Sequence, residues 1–157
     1  MDLPGSGFPE FFMRILHVIL TSGMAGSERY CADLANLQSA QGHEVFVAGV
    51  NGGPIMEALS TAVTFHGVHH RFFRRFGLQR LIAGLAPDIC HGHLSAACKA
   101  LAVTSGGIPA VATLHVGYKE HQHGRLAGLI CVNHSQAKKL AAYPGLSCTI
   151  PIGSCRR

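Results

Sequence analysis

The stretch "ILHVILTSGMAGSERY", residues 15–30, decides the fold. It begins with an apolar run typical of a buried strand, and the glycines and small residues after it indicate a tight turn. Ser27 can cap the helix that begins after this turn. In α/β proteins such a turn often binds a phosphate, because the start of a helix presents unpaired N–H groups. The glycine spacing matches neither a dinucleotide fingerprint nor a P-loop, so a turn without a ligand is an equally good interpretation of this motif alone.

Apolar runs alternate with helical patterns along the rest of the chain. Most of the predicted strands are apolar on both faces, which favours a parallel sheet with helices on both sides. The sequence therefore predicts a doubly wound, Rossmann-like α/β domain, whose ligands bind beyond the carboxyl ends of the strands. Strands are predicted at 15–20, 44–50, 62–68, 88–93, 109–115, 128–133 and 147–152, and helices at 27–42, 55–60, 76–86, 95–106 and 135–143.

The composition is that of a single globular domain. The chain has 157 residues, of which 48% are hydrophobic and only 13% charged, with a net charge of +5. The basic excess fits an anionic partner such as a nucleotide, a membrane face or a nucleic acid. No uninterrupted apolar run is long enough to span a membrane. The six cysteines lack paired spacing, which predicts free thiols and a cytoplasmic protein.

The first residues differ in character from the rest. Residues 1–12 contain two prolines and two glycines without any periodicity, and they lack the basic and apolar regions of a secretion signal. We interpret them as a disordered leader or an expression remnant. The domain itself is expected over residues 13–153.

Six segments together carry a resemblance to a known family. In chain order they read "MRILHVI", "GMAGSERYCADLANLQSAQGHEVFVAG", "PDICHGH", "PAVATLHVGY", "CVNHSQAKKL" and "TIPIG". They resemble the N-terminal half of a group 1, family 4 GT-B glycosyltransferase over residues 13–153. The resemblance implies a retaining enzyme with two Rossmann-like domains facing each other across a cleft. The first domain mainly binds the acceptor, and the missing second domain holds the nucleotide sugar. Residues 154–157 are then a truncated linker.

The resemblance also gives the opening turn a role. The family's turn typically reads Gly-Gly-x-Glu, and its backbone meets the donor diphosphate across the cleft. Here Ala25 stands for the first glycine, while Gly26 and Glu28 match. We therefore expect Gly23, Gly26 and Ser27 to contact the diphosphate, and not to form a complete nucleotide site.

Histidines at the predicted ligand edge are candidates for chemistry. In the resemblance His115 matches a histidine that contacts the transferred sugar or supports the transition state, by donating to a hydroxyl or to developing charge. The alternative is a histidine that only closes its strand. His93 is expected to line the acceptor cleft, together with Tyr118 and Lys119 in the loop that follows. An exposed polar loop is the alternative interpretation of that segment.

The segment "CHGH", residues 90–93, contains possible metal ligands. His91 and His93 are two residues apart on a predicted strand, so both side chains lie on one face, whereas that of Cys90 lies on the other. Zinc sites normally have four ligands at characteristic spacing, and a lone H-x-H does not supply them. We therefore predict no metal and no cofactor, with a nucleotide diphosphate sugar as co-substrate, and we expect His91 to pack near the sheet.

The segment "HHRFFRRFGLQR", residues 69–80, forms a basic patch with interleaved phenylalanines. Arginines beside aromatic rings are typical of surfaces that bind single-stranded nucleic acid or an anionic membrane. A solvated basic helix with a packed phenylalanine face is the other interpretation. We predict a membrane patch on the cytoplasmic face, with no nucleic acid bound. It comprises Arg71, Phe72, Arg74, Arg75 and Arg80.

The predicted function is that of the acceptor-side domain of a retaining glycosyltransferase. The complete enzyme would move a sugar from a nucleotide diphosphate sugar to a saccharide or lipid-linked acceptor. The chain alone would be inactive, because the donor-binding domain is missing. The alternative is a standalone binding module for a sugar, lipid-linked or nucleotide ligand.

Overall fold

The computed structural model describes residues 11–68 and 74–151, and these form one sheet of seven parallel strands. Each strand that the sequence predicts is present, with its limits within three residues of the prediction. The strands are β1 (Arg14–Ile19), β2 (Glu44–Val50), β3 (Thr64–Val68), β4 (Ile89–His93), β5 (Ala110–Leu114), β6 (Gly128–Cys131) and β7 (Leu146–Thr149). They lie in the order β3-β2-β1-β4-β5-β6-β7. The predicted doubly wound Rossmann-like sheet is confirmed.

Helices connect the strands, and two differ from their predictions. The segment after β5 contains a one-turn helix that the sequence analysis placed in a loop. The last helix is shorter than the predicted 135–143, and the side chain of Asn133 caps it by accepting from the Gln136 N–H at 2.9 Å. The helices are α1 (Gly26–Ala40), α2 (Ile55–Ala58), α3 (Arg74–Leu85), α4 (Leu94–Thr104), α5 (Glu120–His123) and α6 (His134–Lys138).

The sheet separates two apolar cores, because side chains alternate between its faces. On β1, Leu16 and Val18 pack into the larger core with α3 and α4. Ile19 points the other way and packs with Cys31 and Ala35 of α1. The alternation places His17 on the face that α1 covers. This face carries the site described below.

Two predictions fall partly outside the described residues. Residues 1–10 of the predicted leader, residues 152–153 at the end of the predicted domain and the predicted linker 154–157 lie outside the described residues. The domain limits of 13–153 therefore stay a prediction. Within the described residues, the helices are too short or too polar to cross a bilayer.

Candidate functional site

The strand order places the candidate site beside β1 and β4. These neighbours pair in the middle of the sheet although two strands and their helices separate them in the chain. In open parallel sheets a ligand binds at this point, beyond the carboxyl ends of the strands. Three segments lie along that edge: the turn between β1 and α1, the junction of β4 and α4, and the residues after β5.

The turn after β1 is held by the carboxylate of Glu28. It accepts hydrogen bonds from the Thr21 hydroxyl, from the Ser27 hydroxyl at 2.9 Å and from the Ala25 N–H at 3.0 Å. Only 4% of Glu28 is exposed. The prediction that Ser27 caps α1 is wrong, because the N-cap residue is Ala25 and the Ser27 hydroxyl is donated to Glu28. α1 begins at Gly26, one residue before Ser27, so the Ser27 side chain lies inside the first turn and not at the position that caps it.

The backbone at this turn borders open space. A Cβ placed on Gly23 or Gly26 would have no neighbouring atom within 4 Å. Ala25 is extended, with φ −119°, so an alanine there, in place of the family's glycine, costs no backbone strain. The space beside the start of α1 is therefore wide enough for an approaching group, and the diphosphate contact stays a prediction.

We expect Glu28→Gln to destabilise the fold by about 1–2 kcal/mol near neutral pH, because at least one of its buried donors loses its acceptor. Burial disfavours the charged carboxylate, but the hydrogen bonds to it prevail, and the pKa of Glu28 is lowered from 4.5. The folded state thus binds fewer protons than the unfolded state. The stabilisation is fully present above pH 4.5 and is lost as the pH falls through the folded pKa.

Urea denaturation of both proteins, near neutral pH and well below pH 4.5, tests this prediction. The difference in the free energy of unfolding between wild type and Glu28→Gln should become smaller in acid. Glu44→Gln is the matched control, because Glu44 forms an exposed ion pair with Arg14 (2.6 Å), and such pairs contribute little. A Glu28 variant that loses no more stability than this control would contradict the role of Glu28 in the turn.

Four histidines meet beneath the same edge. His91 and His93 do share one face of β4, as predicted, and their rings stack with centroids 4.3 Å apart. The Nε2 atom of His93 lies 3.0 Å from Nδ1 of His17, and its Nδ1 lies 3.3 Å from Nε2 of His115. His91 instead pairs its Nε2 with the Thr113 hydroxyl at 2.8 Å. The cluster thus joins three strands side by side.

His93 does not line an open cleft. It is 0% exposed, since α1 covers this face of β4, so its predicted acceptor contact would need the rings around it to move. Burial and the neighbouring histidines hold the pKa of His93 well below its usual value. Burial likewise lowers the pKa of His17 from 6.5 to about 4, against an opposing hydrogen bond with Gln38. The buried rings are therefore neutral at physiological pH.

His115 lies where the cluster meets the edge of the sheet. It is half-buried, directly after β5, and its ring packs edge-on against Tyr30 of α1, with centroids 5.1 Å apart. Burial lowers the pKa of His115, and the nearby charge of Glu28 raises it in part. Next to His93, Leu94 has φ +67°, a strained conformation for a non-glycine residue and one often found at functional sites. The candidate site is therefore centred on His115.

A second group of possible metal ligands overlaps this cluster. Ligand atoms of His17, Cys31 and His93 all lie within 4.8 Å of one another, and all three residues are buried. This group does not include Cys90 of the "CHGH" segment, whose side chain lies in the opposite core. Two imidazoles and a thiolate would suit a soft cation such as zinc. In the structure the two imidazoles already hydrogen-bond each other.

The residues after His115 make more side-chain contacts than the sequence predicts for an exposed polar loop. His123 is buried and accepts a hydrogen bond from the Lys119 N–H at 3.0 Å. The ring of Tyr118 stacks on His123 and meets Tyr143 edge-on. Of the two predicted acceptor contacts, Lys119 is exposed and Tyr118 is partly buried against the core. The acceptor role of both stays a prediction.

The described part of the basic patch is split between two sides of α3. Arg74 and Arg75 line a groove with Lys99 of α4, a residue that the sequence analysis did not include. On the other side, the guanidinium of Arg80 lies over the exposed ring of Phe76, 5.7 Å from its centroid. The remaining members of the predicted patch, Arg71 and Phe72, lie outside the described residues.

A family profile and solved structures both match the chain. The sequence profile of Glycosyltransferase Family 4 matches residues 24–150. A comparison with curated protein sequences gave no match. Among solved structures, the chain resembles Alr3699/HepE of Anabaena in complex with UDP-glucose, with a TM-score of 0.67 and 16% identity. The match covers 88% of this chain and 43% of that protein.

Two further structures show the same relationship. A glycosyltransferase from Rickettsia africae ESF-5 has a TM-score of 0.70 and 16% identity, over 89% of this chain and 43% of that one. MurG of Acinetobacter baumannii has a TM-score of 0.62 and 13% identity, over 78% and 42% respectively. At such identities the structures share a fold. The chain spans less than half the length of each.

Proposed function

The chain belongs to Glycosyltransferase Family 4, and from this we propose that it is the acceptor-side domain of a retaining glycosyltransferase. The complete enzyme would transfer a sugar from a nucleotide diphosphate sugar to a saccharide or lipid-linked acceptor. One observation carries the proposal: Tyr30, in the first turns of α1, packs against His115 after β5. The helix whose first turn is predicted to meet the diphosphate therefore packs directly against the predicted sugar contact.

Positioning would provide most of the catalysis. The first turn of α1 would direct its backbone N–H groups at the diphosphate, where the positive end of the helix dipole favours negative charge. His115 would hydrogen-bond a hydroxyl of the transferred sugar and hold its anomeric carbon near the acceptor oxygen. The leaving diphosphate would take the acceptor's proton from the same face of the sugar, which retains the configuration. This proposal assigns no metal or other cofactor to the reaction.

The environment of Glu28 supports a mechanism without an enzymatic nucleophile. Glu28 is the carboxylate beside His115 in the described structure, and its oxygens are occupied by three donors of its own turn. A buried, hydrogen-bonded carboxylate at this position stabilises the turn and is poorly available to attack a sugar carbon. Its charge would also favour a partial positive charge on the reacting sugar nearby.

The structural comparison supports a first choice of donor to test. HepE was crystallised with UDP-glucose, and a UDP-sugar is accordingly the first donor to test with this protein. Acceptor contacts are proposed for the exposed Lys119 and for Tyr118 in the loop after β5. His93 would contribute from beneath, through its hydrogen bond to His115.

Residues 1–157 alone should fold but should not transfer sugar. A single helix N-terminus supplies about 1 kcal/mol toward an anion, which is too little to hold a free nucleotide sugar. Calorimetric titration with UDP-glucose and several other nucleotide sugars tests this, alongside a transfer assay. Turnover by this chain would contradict the need for a second domain. Micromolar binding without turnover would favour the standalone binding module.

A further inference from the structure

An unbranched chain of hydrogen bonds runs from the edge of the sheet into the protein. His115 is its outer end, and its Nε2 atom lies 3.3 Å from Nδ1 of His93. The Nε2 atom of His93 lies 3.0 Å from Nδ1 of His17. His17 in turn places its Nε2 atom 2.7 Å from the side-chain oxygen of Gln38, near the far end of α1. Both ring nitrogens of His17 and of His93 are used within the chain.

Charge neutrality restricts how the protons can be arranged. A neutral imidazole carries one N–H donor and one acceptor nitrogen, so each ring that donates on one side accepts on the other. His17 and His93 are 0% exposed, and burial keeps the pKa of each well below its usual value. Only two arrangements then satisfy every link. Either all three rings carry the proton on Nε2, or all three carry it on Nδ1.

The amide of Gln38 distinguishes the two arrangements. When its oxygen faces His17, that ring must donate through Nε2 and accept through Nδ1. His93 must then donate to His17 through Nε2, and His115 must donate to His93 through Nε2. The nitrogen of His115 that lies outside the chain is then an acceptor. When the amide is reversed, its NH₂ group donates to His17, and the outer nitrogen of His115 becomes a donor. The orientation of one amide thus determines what His115 offers at the candidate site.

We propose that Gln38, His17 and His93 are positioning residues that fix the tautomer of His115. The structure has the Gln38 oxygen toward His17, so His115 carries its proton on Nε2 and presents Nδ1 as an acceptor. Such a nitrogen accepts a hydrogen bond from a sugar hydroxyl, and the same geometry would disfavour a ligand that offers only an acceptor there. The functional consequence rests on the proposed function, but the tautomer itself does not.

The surroundings of the chain support a positioning role. The His91 ring stacks on His93 and its Nε2 atom is bound to Thr113, so it limits rotation of the His93 ring without joining the chain. Tyr30 packs against both His93 and His115, with centroids 6.1 and 5.1 Å away. Rings that are packed from several sides keep one orientation. Because each ring then keeps its hydrogen bonds, the tautomer of one ring determines the tautomer of the next.

Nitrogen-15 NMR of histidine-labelled protein reads the tautomer of each ring directly. In the wild-type chain we expect His17, His93 and His115 all to be neutral with the proton on Nε2. Gln38→Glu keeps an acceptor at the end of the chain and should preserve this pattern. Gln38→Lys supplies only donors and should switch His115 from mainly Nε2–H to mainly Nδ1–H. Ser39→Lys, on the same helix but outside the chain, is the matched control and should change nothing.

Several results would overturn the proposal. Mixed tautomers in the wild-type protein would do so without any variant, even if the Gln38 substitutions fail to fold. A change of tautomer at His17 without a change at His115 would show that the tautomers of the three rings are independent of one another. Signals of His17 and His93 that respond together to a chelator or to added Zn²⁺ would show that a metal with Cys31 occupies this space. The measurement needs no donor or acceptor, so it is decided separately from the transferase assay.

Discussion

Replacing His115 by alanine should lower the turnover of the complete enzyme about a hundredfold, the scale for losing one positioned hydrogen-bonding group at a reacting centre. The fold should lose only about 1 kcal/mol of stability, because His115 is half-buried and contributes little core packing, although the buried His93 ring loses one hydrogen-bond partner. Steady-state kinetics with a thermal melt of the same protein measures both effects. We expect the loss to appear in kcat more than in KM, since the contact is proposed to act on the reacting sugar.

His121→Ala is the matched control for this experiment. His121 lies six positions further along, is exposed, and contacts Gln122 at 3.2 Å outside the histidine cluster. Its loss should leave turnover within about twofold, as for most surface substitutions. Unchanged turnover of the His115 variant with a lower melting temperature would instead show that His115 only closes its strand.

The order of strands and helices could be predicted because their patterns are local. The run "EVFVAGV" is apolar after its first residue and bounded by turn residues, and its predicted limits agree with those of β2. The same alternation correctly placed His91 and His93 on one face. Side chains alternate between the two faces of any strand, so the face of each residue can be predicted from the sequence once the strand is located.

The burial of a side chain depends on which elements pack over it. This packing could not be predicted from the sequence. His93 was expected in a cleft, but α1 packs across β4 and β1 and buries it. His17 was counted as part of an apolar strand, although a histidine in such a run needs a buried partner for its ring nitrogens. That requirement, taken with the two histidines of β4, was the signal that could have identified the cluster.

Local detail explains the smaller errors. Ser27 was expected to cap α1, but the helix begins one residue earlier, at Gly26, and the Ser27 hydroxyl is donated to the carboxylate of Glu28. Lys119 and His123 close the turn of α5 through a backbone-to-ring hydrogen bond, where the sequence showed only a polar loop. Each of these contacts depends on distances between neighbouring atoms that residue type and spacing alone do not determine.

The basic patch should bind anionic membranes, and the structure changes which residues carry that prediction. Arg75 and Arg80 on α3 and Lys99 on α4 are exposed, whereas Arg74 is partly buried beside α4. Among the described residues the one ion pair joins Arg14 to Glu44, so none of these three cations is paired within that part of the chain. Each contributes about 1 kcal/mol near an anionic surface. Arg75 and Lys99, which line one groove, therefore favour binding by roughly thirtyfold, and Arg80, on the other side of α3, strengthens it where the same surface reaches that side.

The exposed ring of Phe76, 60% accessible beneath the Arg80 guanidinium, would add an apolar contribution that salt does not screen. Binding should therefore weaken as salt is raised, yet persist in part, and it should fail on neutral lipid. Co-sedimentation with phosphatidylglycerol or phosphatidylcholine vesicles measures this for wild type and for a variant with Arg75, Arg80 and Lys99 changed to serine. The matched control changes three exposed cations elsewhere, Arg29, Lys138 and Lys139, to serine.

The control removes the same net charge, so it separates a defined surface from a general effect of basicity. We expect the patch variant to lose most of its binding to phosphatidylglycerol, while the control keeps a large part of it. Equal losses in both variants would show that net charge alone attracts the protein to the membrane. Preference of the wild type for a single-stranded oligonucleotide over anionic vesicles would instead support nucleic-acid binding, since arginines beside aromatic rings suit both ligands. Selective loss in the patch variant would place α3 and α4 against the membrane.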